Sequence, residues 1–329
     1  MKNLFTTLTF LLFATIVFGQ NSYDIVTKTL KSSDNVKTKS DFAKQFPFIN
    51  PVDWKVGVKF MTVPLRDRST DSYSTINLSP YQSKNSYDSK IKQSDFQWKT
   101  FTYLGLEVRD VNCPRGTCQR TYLLFDCESK KYEYEYIGDT TELRNSKGLN
   151  NSINNLVYLD EVDSVKSALV GKRVYVITSK WMKDDESGIG RYSFENPQYI
   201  AVKITSVGLG TQSEPSKIVF KQIGTDTEAY LNIRLSGINN PYRNALEFDE
   251  AFQFDDPKLK YPNISRIVWT SIQNGKVNIG MTKQECELAW GKPQSINKTI
   301  SGKDKSEQWV YSLSSNLYFK NGILTTIQD

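Results

Sequence analysis

The sequence predicts a mainly β protein that ends in a small α+β region. From Trp54 onward, short runs of alternating apolar and polar residues are separated by clusters of Gly, Asn, Asp and Ser, as in barrels and sandwiches. Helical spacing of apolar residues appears only after Tyr261. Asn321-Gly322, the strongest short hairpin signal, lies between two apolar runs near the end of the chain. An aromatic content of 12% fits a β-rich globular chain.

Residues 1–19 are predicted to be a cleavable secretory signal peptide. Lys2 supplies the positive start, Leu4–Phe18 is apolar apart from four threonines, and Val17-Phe18-Gly19 resembles a signal peptidase site. The alternative is a membrane anchor, but the apolar run is shorter than the roughly twenty residues that span a bilayer. We therefore expect an exported protein that is periplasmic, outer-membrane-associated or secreted, with no transmembrane segment after signal removal. Because the first cysteine is Cys113, we expect no lipid anchor of the bacterial lipoprotein type.

Residues 20–50 are polar and rich in lysine. Their weak periodicity predicts either a mobile leader or a short helix that ends near Phe46.

Charge and composition exclude several functional classes. The formal charge of +6 comes from 42 basic and 36 acidic residues without a block of like charges, so nucleic acid is not expected as a partner. The chain contains no histidine, which excludes Ser-His-Asp and Cys-His catalysis and histidine metal sites. No cofactor is predicted. A glycosidase with two carboxylates stays open, although Asp160-Glu161 and Asp249-Glu250 are expected to be solvated loop acids.

The four cysteines fit an oxidising compartment. Cys113 and Cys118 flank a four-residue turn, and a disulfide across this turn is geometrically plausible. The rival interpretation, a metal site, needs all four cysteines, and their spacing lacks paired C-x-x-C units. Cys127 and Cys286 are predicted to be buried thiols rather than a second bridge.

Two stretches, residues 51–160 and 161–260, repeat one order of motifs and predict duplicated modules. The alternative is chance similarity between β-rich segments, since the loop lengths differ. The spacing of the short strands favours two small β-barrels of the Src-homology-3 type. The matched segments are Val56–Phe60 with Val170–Val174, Tyr103–Val108 with Tyr199–Ile204, Tyr122–Phe125 with Ile218–Phe220, and Gly138–Thr140 with Gly224–Thr227.

Tyr132, Tyr134 and Tyr136 alternate with two glutamates, so a strand would place all three phenol rings on one face. They are candidate partner-binding residues that could form an aromatic platform for a sugar or a peptide. The favoured interpretation is a half-buried strand of an elongated hairpin.

Residues 261–329 predict two helices followed by three or four antiparallel strands. The first helix lies between Pro262 and Gly275, and the second runs from Thr282 to Trp290 with a Thr-x-x-Glu capping box and Gly291 as its C-cap. Predicted strands cover 294–300, 307–311, 317–319 and 323–327.

This region resembles the SmpA/OmlA family, the BamE-like outer-membrane small-protein domain. The resemblance lies in Ile279–Lys283, Trp290–Pro293, Glu307–Tyr311 and Leu317–Gly322. It implies a place in the cell envelope and action by association rather than by chemistry. The chain departs from the best-known lipoprotein type because it lacks a lipidation cysteine and carries a large N-terminal region.

Trp309 and Tyr311 within these motifs are candidate partner-binding residues; the alternative is that they join the helix to the sheet as core.

Together, these features predict an exported cell-envelope binding or scaffold protein without catalytic activity. The expected partner is an envelope protein or a cell-wall polymer. An alternative is a secreted enzyme inhibitor, because the two-helix-plus-sheet layout is similar to the fold of β-lactamase inhibitory proteins. Ser301–Ser306 would then be the inhibitory loop. A carboxylate-based glycosidase is the third hypothesis.

Overall fold

The computed structural model is mainly β, as predicted, with 42% of residues in strands and 21% in helices. The described residues form three open antiparallel sheets. The predicted signal peptide and residues 20–24 and 29–38 of the predicted leader lie outside the described residues. The structure describes residues 25–28, 39–62, 76–83, 91–146, 153, 156–183, 191–192, 196–236, 238, 245–301, 304–312 and 314–329.

The strands and α-helices of the described residues are numbered in chain order. The strands are β1 Ile25–Lys28, β2 Lys59–Thr62, β3 Ser79–Pro80, β4 Thr100–Cys113, β5 Gly116–Cys127, β6 Lys130–Tyr136, β7 Leu156–Tyr158, β8 Arg173–Val176, β9 Met182–Lys183, β10 Arg191–Tyr192, β11 Ile200–Leu209, β12 Ser216–Gln222, β13 Glu228–Ile233, β14 Phe252–Gln253, β15 Ser295–Ser301, β16 Asp304–Val310, β17 Asn316–Lys320 and β18 Ile323–Gln328. The helices are α1 Thr140–Asn145, α2 Leu159–Leu169, α3 Phe248–Ala251, α4 Pro257–Lys260, α5 Arg266–Gln273 and α6 Lys283–Trp290.

The chain divides into two compact units. The larger unit covers Asn35–Val277 and holds two of the sheets, and the smaller unit joins β1 to Asn278–Asp329. The predicted boundary between residues 160 and 161 falls inside α2.

The two sheets of the larger unit have the same strand order. The first runs β3-β6-β5-β4-β2-β7, and the second runs β10-β9-β13-β12-β11-β8-β14. When the two-residue edge strand β10 is set aside, β2 to β7 correspond in order to β8, β9, β11, β12, β13 and β14. The larger unit therefore contains a structural repeat, as the repeated motifs predict.

Hydrogen bonds fix the equivalence residue by residue. The amide of Gly57 donates to the carbonyl of Tyr103 at 2.8 Å, and the amide of Gly171 donates to that of Ile204 at 2.9 Å. Directly after Tyr103 and after Ile204, each sheet has a β-bulge at one residue. Gly57 and Gly171 have φ values of 95° and 83°, which side-chain-bearing residues rarely adopt. The Val-Gly pair of each repeat therefore marks the same turn.

Two of the sequence matches are corrected by this register. Tyr103 is equivalent to Ile204 and not to Tyr199. Gly138 follows β6, whereas Gly224 lies in the turn between β12 and β13. In the first repeat that turn corresponds to the one between β5 and β6, so the two glycines are not equivalent. Short apolar runs look alike at several offsets, and only the hydrogen-bond register decides between them.

The repeats share their helical turns but not their core residues. A short capped helix precedes the last strand of each repeat, α1 before β7 and α3 before β14, and both begin with a capping box. Four equivalent buried positions are aromatic in the first repeat, and three of them are aliphatic in the second. The pairs are Phe60 with Val174, Phe101 with Val202, Tyr103 with Ile204, and Phe125 with Phe220.

The segment before the first repeat packs on the core of the second. A 3-10 helix covers Ala43–Gln45 and ends just before Phe46, where the sequence predicts a helix end. The Phe42 ring lies 4.5 Å from that of Phe248, between centroids. Asp249 accepts a hydrogen bond from the Ser40 amide at 2.7 Å, so this acid anchors the segment and is not a solvated loop acid as predicted.

Helix α2 follows the first repeat and packs its apolar side on the core of the second through Val162, Val165 and Leu169. Glu161 on this helix is 1% exposed and was wrongly predicted to be a solvated loop acid. Its carboxylate accepts hydrogen bonds from the amides of Leu235 and Ser236 at 3.0 and 2.9 Å and from the Ser236 hydroxyl. A buried carboxylate needs such partners, and these fix the chain after β13 against the helix.

Helix α5, the first helix predicted after Tyr261, belongs to the larger unit. The Trp269 ring lies edge-on to Tyr199, with 5.9 Å between centroids. The amide of Gln198 donates to the carbonyl of Gln273 at 2.8 Å.

The smaller unit has a five-stranded antiparallel sheet in the order β1-β15-β16-β17-β18 and the helix α6. The predicted capping box of Thr282 and Glu285 is present, and Gly291 is the C-cap. Backbone bonds of Gly280 and Met281 with Leu324 tie the start of the helix to β18. The buried side chains are Met281, Cys286, Ala289, Trp309, Leu317, Phe319 and Leu324.

Two aromatic residues of the smaller unit should differ in their contribution to stability. Phe319 is 2% exposed, whereas Trp290 is half-buried and packs edge-on against Tyr311. We predict that Phe319→Ala lowers the free energy of unfolding of this unit by about 3–5 kcal/mol. Trp290→Ala should cost about 2 kcal/mol because only part of its ring is buried. Native-state hydrogen exchange of β17 and β18 amides measures both; an equal or larger loss for Trp290→Ala would contradict the burial described.

Candidate functional site

The most distinctive feature of the larger unit is a β-ribbon formed by β4 and β5. Pairing with β6 ends at Thr121, and strand pairing with β2 ends at Thr102. From the cross-strand pair of Arg109 with Arg120 to the pair of Cys113 with Gly116, the two strands pair only with each other among the described residues. We call the stretch of chain from Arg109 to Arg120 the ribbon. Its five residue pairs extend about 17 Å beyond the sheet, at roughly 3.4 Å per residue.

A disulfide closes the far end of the ribbon. Cys113 and Cys118 are bonded, with 5.9 Å between their Cα atoms, as the sequence predicts. A two-stranded ribbon is marginally stable without further support. Closing so short a loop adds about 2 kcal/mol in the chain-entropy model. The bridge therefore holds the tip in one conformation.

At its base, the ribbon is fixed by the guanidinium of Arg109. This group forms ion pairs with Glu133 on β6 at 2.8 Å and with Glu107 at 2.7 Å. It also lies over the rings of Tyr122 and Tyr81, at 4.0 and 5.1 Å from their centroids. The Glu133 side chain is only 3% exposed, and a buried carboxylate requires a paired cation.

Hydrogen bonding in this cluster shifts the pKa values of two of its groups in opposite directions. The hydrogen bond from Arg109 lowers the pKa of Glu107, which also accepts from the Tyr81 hydroxyl at 3.0 Å. The hydrogen bond that the Tyr81 hydroxyl donates to Glu107 raises the pKa of Tyr81. Glu107 thus remains ionised and Tyr81 protonated at neutral pH, so the cluster serves as a clamp.

The second repeat lacks such a ribbon. Its equivalent hairpin ends at the pair Leu209–Ser216, which corresponds to Val108–Thr121 in the first repeat. The following loop folds back, and the Glu214 carboxylate in it accepts the amide of Leu246 at 2.9 Å. The shared topology therefore closes without the ribbon, which is an addition specific to the first repeat.

Tyr132, Tyr134 and Tyr136 lie in the core of the first repeat, at 7%, 4% and 4% exposure. The Tyr132 ring contacts Phe96 and Phe101 edge-on. These rings therefore form part of the sheet's inner face and are not a surface platform.

Trp309 and Tyr311 lie in the smaller unit. Trp309 is 4% exposed, its ring lies tilted against that of Phe319 with 4.8 Å between centroids, and its indole N–H donates to Glu307 at 3.0 Å. The Tyr311 hydroxyl donates to the carbonyl of Gly291 at 3.0 Å. Trp309 and Tyr311 thus help to join α6 and the sheet.

The acidic pairs do not form a catalytic carboxylate pair. A groove of about 330 Å³ beside α2 is lined by Phe46, Pro47, Ile49, Asp160 and Glu161, among others. Burial raises the pKa of Asp160. Glu161, however, accepts bonds from the Leu235–Ser236 segment with both of its oxygens. Of the two carboxylates that line this groove, Asp160 is therefore the one that the Leu235–Ser236 segment does not engage.

Cys127 and Cys286 are free and buried, as the sequence predicts. Burial raises the pKa of both thiols, that of Cys286 to about 12, so neither is a reactive thiolate. Among the described residues, no group of three or more His, Cys, Asp or Glu side chains is arranged to hold a metal ion. No helix in the described part of the chain is long and apolar enough to cross a membrane.

The segment Ser301–Ser306, the candidate inhibitory loop, is the closed end of a hairpin. Ser301 pairs with Asp304, and the pairing of β15 with β16 continues without interruption from there. Its described residues therefore belong to strands.

The chain matches no known family model, no curated protein and no solved structure.

Sequence reasoning missed the ribbon as a site although it identified the disulfide. A partial signal was present: Cys113 and Cys118 lie midway between the runs Tyr103–Val108 and Tyr122–Phe125, and the strands continue to them, so this hairpin is longer than its counterpart in the second repeat. The pairing of Arg109 with Glu133 left no local signal, because these residues are far apart in sequence.

A largely buried ion pair of the smaller unit depends on pH. Glu307 forms ion pairs with Lys283 at 2.7 Å and Lys298 at 3.4 Å. Burial acts to raise its pKa, but the hydrogen bonds from Lys283 and Trp309 and the lysine charges outweigh this and lower the pKa. Because the pKa is lower in the folded state, the contact stabilises fully above the ordinary value of 4.5 and is lost as the pH falls through the lowered value.

We predict that the amides of β16 and β17 exchange faster as the pH falls below about 4.5, after correction for intrinsic exchange. Glu307→Gln should weaken protection at neutral pH and reduce this acid dependence; the remainder comes from the exposed Asp304–Lys320 pair, because the pKa of Asp304 is also lowered. If Glu307→Gln retains the full pH dependence of the wild type, the acid sensitivity comes from another group.

Proposed function

We propose that the mature chain is an exported cell-envelope protein that acts by binding, without catalysis, and that the ribbon is its principal contact element. The partner in this proposal is an envelope protein or a cell-wall polymer. The observation that carries it is the ribbon itself: a projecting hairpin, braced by a disulfide, that the equivalent repeat does without.

Export and envelope location are supported by the sequence of residues 1–19 and by the disulfide. Disulfides persist in oxidising compartments such as the bacterial periplasm and the extracellular space. The resemblance of the C-terminal motifs to the SmpA/OmlA family also supports an envelope role. In this proposal the smaller unit is a BamE-like module, whose motif residues Gly291, Trp309 and Phe319 serve its cap and core.

The two repeats are proposed to be variants of the small barrel of the Src-homology-3 type. In that type, the first strand lies between the second and the fifth of a five-strand chain, and a short helical turn connects the last two. The order β6-β5-β4-β2-β7 with α1 before β7, and the order β13-β12-β11-β8-β14 with α3 before β14, agree with this arrangement.

A secreted enzyme inhibitor is the second candidate. The ribbon favours it, because a rigid hairpin that projects from a scaffold can enter the cleft of an enzyme. The two candidates differ in the kind of partner that the ribbon contacts.

We predict that a photo-crosslinking amino acid at Thr117, on the exposed tip, captures a specific envelope component in intact cells. The matched control carries the same amino acid at Val170, which is exposed in the second repeat. Mass spectrometry should identify one reproducible envelope protein or cell-wall fragment from Thr117 and none of it from Val170. Capture of an enzyme that the purified protein inhibits would select the inhibitor.

Equal capture from the two positions would contradict the proposal. So would a glycan-, peptide- or ester-cleaving activity that survives purification and is lost on replacement of Asp160, the acid at the groove, by Asn.

A further inference from the structure

We propose that the free edge of β4, residues Leu106–Asn112, binds an extended segment of a partner protein by strand addition. This inference deepens the proposed function, on which it rests, and specifies the chemistry of the partner. We call Leu106–Asn112 the β4 edge.

The β4 edge is open among the described residues. β4 has β5 on one side along its whole length, and on the other side its last bonds are those of Tyr103 with Gly57 and Val58. No described strand pairs with this side beyond Tyr103. Alternate residues of such an edge direct N–H and C=O groups away from the sheet, and an extended chain is the structure that satisfies them at strand spacing.

The β4 edge also lacks one common protection against strand addition. Exposed edges are often blocked by proline or by lysine, and Leu106–Asn112 contains neither. The disulfide holds the far end of the edge in place and the Arg109 clamp holds its middle, so an added strand would not have to order the edge itself.

Side chains along the β4 edge define the partner segment. Leu106 and Val108 lie on one face, and Val56 lies beside Gly105 at the base of the edge. Val56 and Val108 are exposed by 69% and 42%, so an added strand would cover apolar surface here. Asp110 follows on the same face and is exposed, with a single long hydrogen bond from Gln119 at 3.3 Å.

Charge complementarity completes the description of the partner. Glu107 and Arg109 lie on the opposite face, where they pair with each other, and Asp110 is the exposed carboxylate on the face of Leu106 and Val108. Cross-strand pairs favour apolar residues opposite apolar ones and a cation opposite a carboxylate. The partner is therefore an extended segment with apolar residues at alternate positions and a lysine or arginine two positions further along.

The test uses the mature chain and a labelled nine-residue peptide of alternating valine and threonine that ends in lysine, together with its reversed sequence. Fluorescence anisotropy should show saturable binding of one of the two. N-methylation of alternate backbone amides in that peptide should abolish binding, because strand addition depends on main-chain hydrogen bonds.

Two variants locate the site. Val108→Lys should weaken binding at least tenfold, whereas Val170→Lys, at an equally exposed valine of the second repeat, should change it less than twofold. Asp110→Lys should also weaken binding at least tenfold, and a peptide that ends in glutamate should restore it. Unchanged far-ultraviolet circular dichroism and melting temperature show that the variants remain folded.

Several results would overturn the inference: no saturable binding of either peptide, equal effects of Val108→Lys and Val170→Lys, or undiminished binding of the methylated peptide. A concentration-dependent dimer that Val108→Lys abolishes would instead assign the edge to a second copy of this chain. If the Thr117 crosslink captures its partner while the peptides do not bind, strand addition fails and the proposed function stands. If the peptides bind while Thr117 captures nothing, strand addition to the β4 edge stands and the role of the ribbon as the principal contact element fails.

Discussion

The ion pair between Arg109 and Glu133 determines what the first repeat can present to a partner. Glu133 is buried on β6, and without a cation its carboxylate would carry a large desolvation cost. Arg109 supplies that cation from the first residue of the ribbon and lies over the ring of Tyr122. The contact that neutralises a buried charge therefore also fixes the direction of the ribbon. At the other end the disulfide limits the conformations of the tip, so the ribbon is fixed at its base and at its tip.

The duplication explains why the ribbon can be separated from the fold. Both repeats share a strand order, a bulge, a left-handed glycine and a capped helix before the last strand. The second repeat completes this arrangement with a hairpin that ends at Leu209–Ser216. Everything beyond the equivalent pair Val108–Thr121 is therefore unnecessary for burying a core. The ribbon is present in one repeat and absent from the other, so its role is separate from that of the shared fold.

Much of this architecture could be predicted from local sequence. The Thr282 capping box and the Cys113–Cys118 bridge both depend on residues within a few positions of one another. Long-range features could not be predicted. The alternation of Tyr132–Tyr136 indicated that these tyrosines share a face, but whether that face is core or surface depends on strands elsewhere in the chain.

The acidic residues show the same limit. Asp160 and Glu161 are neighbours, yet one lines a groove and the other is buried against Leu235 and Ser236. Likewise, the sequence places α5 beside the C-terminal motifs, and it is the contact of Trp269 with Tyr199 that assigns this helix to the larger unit. In each case the deciding partner is distant in sequence.

We expect the ribbon to be dispensable for folding and required for binding. Replacing residues 109–120 by an Asn-Gly turn joins Val108 to Thr121, so that strand pairing in the first repeat ends at the pair equivalent to Leu209 and Ser216 of the second. Since this also removes the partner of Glu133, the deletion is made together with Glu133→Gln. The account predicts that this variant unfolds cooperatively and retains native-like amide protection in β2, β4 and β6, while it loses the envelope component captured by the intact chain. A shortened protein that fails to fold, or one that still binds that component with undiminished affinity, would contradict it.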